Sequence, residues 1–324
     1  MVSSAEGAGP SGAARPHPVR VLYIGGMARS GSTLLDLMLG QLPAHCDVGE
    51  LFYLWRDGVE RDLLCACGER FGACPFWTEV GRVAFGGWDR VDTGRVLALQ
   101  ADVDRTSRLP AILGARRLPG FRSRLDEYTE VLTALYAAIA TVSGAEVVVD
   151  STKRPSLAYI LRRAPGIDLR LVHVVRDPRG VVYSWTKQVK MPAGAAPKPY
   201  MNQRSPRQIS RRWVTVTLMT ATLRRLGVPT VLVRYEDLVR EPAAALRRVA
   251  AVSTGGPEPD LSGILTPDGL RLGESHTVAG GRVRMRTGLM PLRLDEEWRT
   301  ALPSSLRRFV SAVTWPLRRR FGYR

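Results

Sequence analysis

Residues 21–34 read VLYIGGMARSGSTL and predict a strand, a loop and the start of a helix. An apolar run ends in two glycines, a polar loop follows, and an apolar helical pattern begins directly afterwards. A strand, loop and helix in this order direct backbone amides and the positive helix N-terminus toward one point. The hydroxyls of Ser30, Ser32 and Thr33 add donors, and Arg29 adds a charged fork. The stretch therefore predicts a phosphate or sulfate site.

The same loop matches the pattern of the nucleotide-binding P-loop except for the lysine, which is absent. Residues 26–33 (GMARSGST) carry Ser32 where that pattern has lysine. Magnesium-dependent hydrolysis of a nucleoside triphosphate loses its main support without this lysine. The run VVVD, which ends at Asp150, keeps a nucleotide kinase or triphosphatase open as an alternative.

Other short apolar runs also end in polar turns that lead into helical patterns. Strands of this kind, alternating with helices, predict a doubly wound α/β fold with a mainly parallel sheet. Ligands of such sheets bind beyond the carboxyl ends of the strands. The predicted strands lie at 19–26, 145–151, 169–175 and 229–235, and the predicted helices begin near Ser32, Pro155, Pro178 and residue 242.

The chain is predicted to form a single domain over residues 19–324, after a disordered tail at 1–18. About 100 residues separate the first two predicted strands, which is too long for a simple crossover. We interpret 46–144 as an inserted helical cap that binds the acceptor, with a long helix at 122–143. The segment 188–205 is rich in Pro, Gly and Ala and predicts a mobile loop.

Two motifs resemble those of sulfotransferases that use 3′-phosphoadenosine 5′-phosphosulfate (PAPS). ARSGSTLL (28–35) resembles the family's 5′-phosphosulfate loop, and VVRDPRGVVYSW (174–185) resembles its 3′-phosphate motif. The resemblance covers most of residues 19–324. It implies PAPS as co-substrate without a required metal, and PAP as product. The implied donor-binding residues are Arg29, Ser30, Gly31, Ser32, Thr33, Leu34, Arg176 and Ser184.

A third stretch, SHTVAGGRVR (275–284), resembles a C-terminal segment of bacterial members of this family. His276, Gly280 and Arg284 fit that pattern, whereas Gly281 and Arg282 replace its Asn and Pro. The resemblance implies that 271–290 folds over the nucleotide, with Gly280, Arg282 and Arg284 at the donor site. An ordinary basic surface loop is the alternative.

The resemblance also implies the catalytic groups. Gly49-Glu50 matches the pair that supplies the base in related enzymes, so Glu50 is the candidate base and His45 the alternative. Lys153 and Arg29 would neutralise charge on the transferring group. A helix-capping glutamate and a solvated lysine are the structural alternatives.

Four cysteines, Cys46, Cys65, Cys67 and Cys74, leave several interpretations open. We expect reduced thiols and no metal site. A disulfide is one alternative, and zinc, with Cys46 or His45 as a further ligand, is another.

The formal net charge of +17 indicates an anionic ligand or partner, although an Arg-rich composition alone also explains part of this charge. Nucleic acid, a membrane surface or a phosphorylated small molecule would each fit, so a nonenzymatic nucleic-acid-binding protein stays open. No apolar run reaches the roughly 20 residues of a membrane span. We therefore predict a cytoplasmic sulfotransferase that does not insert into membranes or bind nucleic acid, and acts on a hydroxyl or amine of a small molecule or carbohydrate.

Overall fold

The core of the protein is a five-stranded parallel sheet, which a computed structural model of residues 18–324 describes. The four predicted strands are present, and the predicted fold class is confirmed. Apart from Pro18, the predicted tail at 1–18 lies outside the described residues. The strands are β1 (Val19–Gly26), β2 (His45–Gly49), β3 (Val147–Lys153), β4 (Ile167–Val175) and β5 (Thr230–Arg234), in the order β2-β3-β1-β4-β5.

Helices cover both faces of this sheet. Consecutive residues of a strand point to opposite faces, so a strand between two helical layers is apolar throughout. In β1, Val21 and Tyr23 belong to one buried apolar cluster, and Leu22 and Ile24 belong to the other. This arrangement explains why the strand appears in the sequence as an uninterrupted apolar run.

The α-helices alternate with the strands of the main sheet, as the sequence predicted. Their ranges are α1 (Ser32–Gly40), α2 (Pro75–Phe85), α3 (Thr93–Val103), α4 (Leu109–Leu113), α5 (Pro119–Ser143), α6 (Pro155–Leu161), α7 (Pro178–Thr186), α8 (Pro206–Arg225), α9 (Tyr235–Arg240), α10 (Pro242–Ser253), α11 (Trp298–Ala301) and α12 (Ser304–Arg320). Among residues 18–324, no helix is both long enough and apolar enough to cross a membrane.

The predicted insertion differs from the structure at its beginning. Residues 46–49 belong to β2, an edge strand of the main sheet, so they are not part of a cap. The cap helices follow from residue 51 and end with α5. Their packing centres on the buried rings of Trp55, Phe71 and Trp77, of which the last two stack at 5.4 Å.

A small antiparallel sheet follows the main domain core along the chain. Its strands are β6 (Leu265–Thr266), β7 (Gly269–Leu272) and β8 (Gly288–Met290), in the order β6-β7-β8. The stretch between β7 and β8 contains most of the segment predicted to cover the nucleotide. In the predicted mobile loop at 188–205, Lys190 and Tyr200 form an isolated antiparallel bridge.

The strand order places the predicted loop at the centre of the sheet. β1 has β3 on one side and β4 on the other, so the direction of winding changes at β1. The crevice beyond the carboxyl ends of strands at such a switch point is the usual ligand site of these folds.

Candidate active site

The loop after β1 requires glycine at two positions. Gly26 has φ +139°, and a Cβ there would lie 2.2 Å from the Val174 carbonyl oxygen. Gly31 has φ +86°, and its Cβ would lie 2.5 Å from the Tyr235 ring. Both φ values favour glycine. The loop backbone therefore packs against its neighbours more closely than any side chain at these positions would allow.

Hydroxyl groups line this loop, and one of them is unsatisfied. The Ser30 Oγ is buried and has no hydrogen-bond partner within residues 18–324. Ser32 begins α1 and is buried, while Thr33 Oγ1 accepts a hydrogen bond from the Gly281 amide at 3.3 Å. Leu34 packs beside the apolar cluster under the helix. A buried hydroxyl without a partner is costly, so an anionic oxygen in the loop would fit these residues.

Arg29 supplies the positive charge of the loop. Its guanidinium lies 5.4 Å from the centroid of the Trp185 ring, and burial lowers its pKa. Its φ of +73° lies in the left-handed region, which non-glycine residues seldom occupy. Such strained residues concentrate at functional sites.

Arg176 links the loop to the end of the neighbouring strand β4. Its Nη1 donates to the Arg29 carbonyl oxygen at 3.1 Å, and the guanidinium lies 4.4 Å from the Tyr235 ring centroid. Its Nη2 donates to Asp295 Oδ2 at 3.0 Å. Sequence reasoning missed Asp295, since a single acidic residue in an irregular stretch gives no signal of this pairing.

Helix α7 begins as the sequence predicted. Asp177 caps it by accepting a hydrogen bond from the Arg179 amide at 2.9 Å, and Pro178 occupies the first turn. Ser184 lies further along α7 and is partly exposed. The adjacent Trp185 donates from Nε1 to the Ala28 carbonyl oxygen at 3.3 Å. This contact ties α7 to the loop after β1.

Glu50 and Lys153 meet at the carboxyl ends of β2 and β3. Lys153 Nζ donates to Glu50 Oε1 at 2.7 Å, and 9% and 15% of the two side chains, respectively, are exposed. Lys153 has φ +67°, a second left-handed non-glycine residue at this edge. The pair places a carboxylate, which can accept a proton, beside an ammonium group, which can offset negative charge.

Two buried carboxylates, those of Asp36 and Asp150, hydrogen-bond to the residues that precede Lys153 in β3. Asp36 of α1 accepts a hydrogen bond from Ser151 Oγ at 3.0 Å, and burial raises its pKa well above the usual value. Asp150 accepts from the Tyr136 hydroxyl and from the Thr152 amide, and burial raises its pKa to about 6. Asp150 thus shapes the turn after β3. Sequence reasoning missed Asp36, a buried residue of α1.

The C-terminal segment reaches the same edge of the sheet. A Cβ on Gly280 would lie 3.7 Å from Glu50 Oε1 and 3.8 Å from Thr33 Cγ2. Its backbone therefore lies close to both the candidate base and the loop after β1. Arg282 is exposed. Arg284, by contrast, is buried and donates to the carbonyl oxygens of Thr277, Leu64 and Ala195.

Two predictions for individual residues change as a result. Both terminal nitrogens of Arg284 bind backbone carbonyls, so this residue holds the segment in place and does not point to a phosphate. His45 lies at the amino end of β2, opposite Glu50, where its ring nitrogens contact Pro43 and Ser253. The alternative base therefore lies at the wrong edge of the sheet.

Comparison with known proteins identifies the family to which the chain belongs. The model of the sulfotransferase family, Sulfotransfer_3, matches residues 75–252, which is more than half of the chain. The chain therefore belongs to the sulfotransferase family, and the resemblance seen in its motifs is confirmed.

One curated relative and one solved structure illustrate the similarity. Carbohydrate sulfotransferase 6 of Homo sapiens is 29% identical over 186 residues, which cover 51% of this chain and 44% of that protein. The aligned stretch thus spans less than half of this relative. The sulfotransferase domain from the Synechococcus PCC 7002 olefin synthase shares the fold, with a TM-score of 0.50 and 20% identity over 96% of this chain and 97% of that one.

Proposed function

We propose that this sulfotransferase transfers the sulfuryl group from PAPS to a hydroxyl or amine of a small-molecule or carbohydrate acceptor. The observation that carries the proposal is the hydrogen bond of Arg176 to the Arg29 carbonyl at 3.1 Å. It joins two cationic sites at the ends of adjacent strands. A nucleotide with anions at both its 5′ and 3′ positions suits such a pair of sites.

The donor is assigned to the two sites by their chemistry. The loop amides, the Ser30 hydroxyl and Arg29 would bind the 5′-phosphosulfate, and Arg176 with Ser184 would bind the 3′-phosphate. The 5′ group has no γ-phosphate, which accounts for a loop without the P-loop lysine. Of the two C-terminal arginines, the exposed Arg282 is the candidate phosphate contact.

The transfer step is assigned to Glu50 and Lys153. The acceptor oxygen or nitrogen forms a bond to sulfur, and the bond from sulfur to the bridging phosphate oxygen breaks. Glu50 accepts the acceptor's proton, while Lys153 and Arg29 offset the negative charge that grows on the leaving oxygen. PAP then leaves, and the proposal assigns no metal ion to this step.

The cap is the candidate acceptor region, because its first helical turn follows Glu50 directly. The name of the human relative supports keeping carbohydrates among the acceptors to be tested.

Transfer of radiolabel from PAPS tests this proposal. The wild-type protein and Glu50→Gln are incubated with labelled PAPS and a panel of phenolic, glycosylated and carbohydrate acceptors. Labelled product is expected with the wild type and a strong loss with Glu50→Gln. Turnover of magnesium-ATP in place of PAPS would overturn the proposal.

A further inference from the structure

Three cysteines of the cap and a histidine of the C-terminal segment form one compact cluster. The Sγ atoms of Cys67 and Cys65 each lie 3.7 Å from Cys74 Sγ. Nδ1 of His276 lies 3.4 Å from Cys74 Sγ and 3.9 Å from Cys65 Sγ. All four donor atoms lie within 4.8 Å of one another. His276 and the three cysteines, which are more than 200 positions apart along the chain, thus place four metal-binding atoms close together.

These distances have the dimensions of a tetrahedral zinc site. With Zn–S near 2.3 Å and Zn–N near 2.0–2.1 Å, ligand sulfurs lie about 3.8 Å apart, and sulfur and nitrogen about 3.5 Å apart. We propose that Cys65, Cys67, Cys74 and His276 bind one Zn²⁺ in a closed structural site. The proposal rests on these four residues alone and is independent of the proposed donor and acceptor. It replaces our expectation of free thiols.

The backbone holds the cysteine ligands in place without help from a metal. The Cys65 amide donates to the Glu69 carbonyl at 2.8 Å, and the Gly68 amide donates back to the Cys65 carbonyl at 3.1 Å. Gly68 has φ +96°, which favours glycine in this tight turn. The Cys74 amide binds the Arg70 carbonyl at 2.9 Å, just before α2 begins. The turn therefore directs a C-x-C pair and a third cysteine to the same point, although the spacing is shorter than the common C-x-x-C.

Contacts with neighbouring residues also hold His276 in position. Its ring stacks on Phe76 with the centroids 5.0 Å apart and the planes 9° apart. Its carbonyl accepts a hydrogen bond from Trp77 Nε1 at 2.8 Å. The second ring nitrogen, Nε2, lies 3.9 Å from Glu274 Oε1. This distance is too long for a hydrogen bond. A rotation of the exposed Glu274 side chain would bring its carboxylate to Nε2, where a carboxylate is a common hydrogen-bond partner of a zinc-binding histidine.

A disulfide explains the arrangement less well. A disulfide brings two sulfurs to about 2.05 Å, and it would leave the third cysteine and the histidine without a role. Cys74 is 3.7 Å from both of the other cysteines, so neither pair is favoured. Zinc uses all four donors.

The proposed site connects the cap to the segment beside the catalytic pair. Immediately after His276, the Val278 amide binds the Val48 carbonyl at 3.1 Å, and the Glu50 amide binds the Ala279 carbonyl at 3.3 Å. The Gly281 amide then binds Thr33 Oγ1. Zinc would therefore fix the stretch that borders both Glu50 and the anion loop, and its removal should loosen this edge of the sheet.

Metal content and cobalt substitution test the proposal. The wild-type protein, produced with zinc and kept in reductant, is expected to contain one zinc per chain by mass spectrometry. Cys74→Ser and His276→Ala are expected to lose most of it. The matched control is Cys46→Ser, because Cys46 lies on β2 outside the cluster, and it is expected to keep the full amount.

A second measurement does not depend on variants that fold poorly. Wild-type protein stripped of zinc by a chelator, kept reduced and shown by circular dichroism to be folded, is titrated with Co²⁺. Intense visible bands of tetrahedral cobalt with thiolate charge transfer, saturating at one equivalent, are expected. Absence of cobalt and zinc binding by this protein would overturn the proposal, as would equal zinc retention by Cys74→Ser, His276→Ala and Cys46→Ser.

Discussion

Lys153 Nζ donates to Glu50 Oε1 at 2.7 Å in a pocket that leaves little of either side chain exposed. The two residues are 103 positions apart. Glu50 directly follows β2 and Lys153 is the last residue of β3, and these strands are neighbours in the sheet. In the proposed mechanism, the ammonium group holds the carboxylate in position until an acceptor binds, and then faces the leaving oxygen. This pair is the basis for the first prediction.

Glu50→Gln keeps the shape of the side chain but removes the base. We expect kcat to fall by about 10²- to 10⁴-fold, since general bases contribute on this order, while PAP affinity changes little. The measurement is steady-state transfer to an acceptor found in the radiolabel assay, with PAP titration by calorimetry. Glu258→Gln, an exposed glutamate, is the control. An unchanged kcat would show that Glu50 is not the base.

Gly31→Ala tests the shape of the anion loop. The left-handed φ costs about 1–2 kcal/mol for alanine, and the contact with the Tyr235 ring adds about 1–3 kcal/mol of overpacking. Gly144→Ala is the matched control, because Gly144 has φ +65° but open space around its Cβ position. Urea denaturation should show a larger loss of unfolding free energy for Gly31→Ala, and only this variant should lose PAP affinity. Equal losses would mean that the Tyr235 contact is unimportant.

Asp295→Asn tests whether Asp295 competes with a phosphate for Arg176. The carboxylate is partly exposed, so the pair is worth at most about 1 kcal/mol. PAP should therefore bind roughly two- to fivefold more tightly to the variant. The neighbouring Glu296→Gln controls for a general change in charge, since Glu296 pairs with Arg240 and Arg299 instead. Calorimetry that shows the same gain for both variants would contradict the competition.

The buried His173 should make the free energy of unfolding depend on pH under acidic conditions. Burial in β4 lowers its pKa to about 4. The unfolded chain binds the proton near pH 6.5, so the stability that His173 contributes falls as the pH decreases from about 6.5 to about 4. Relative to wild type, His173→Leu should lose roughly 2 kcal/mol less unfolding free energy between pH 7 and pH 4.5. Urea denaturation at the two pH values measures this difference, and parallel losses in both proteins would refute it.

The sequence predicted the parts of the fold that have strong local patterns. β1, β3 and β4 are buried along most of their length and therefore appear as apolar runs. β5 is a partly exposed edge strand, but it still contains the apolar run VLV. β2 (HCDVG) was missed because it is a short edge strand with polar residues. The strands β6 to β8 span two to four residues each, which is too short for a periodic signal.

The sequence suggested candidate site residues where a motif joins residues that are close along the chain. The anion loop and the stretch from Arg176 to Ser184 are of this kind. His276, by contrast, comes close to the three cysteines only through folding. The sequence therefore suggested only His45 and Cys46, which are closer along the chain, as a further ligand. The burial of Arg284 was equally invisible, because the sequence does not distinguish an arginine that binds carbonyls from one that binds a phosphate.

Binding of PAP tests whether Arg176 and the loop after β1 form the donor site. Calorimetry should show PAP bound to the wild type, with affinity about 10- to 100-fold lower for Arg176→Met, as the loss of a charge-assisted hydrogen bond predicts. Arg170→Met, a control at the amino end of the same strand, should bind PAP like the wild type. Adenosine 5′-phosphate, which lacks the 3′-phosphate, should bind more weakly and not respond to Arg176→Met. Equal affinities of the wild type for the two nucleotides, or equal effects of the two substitutions, would contradict the account.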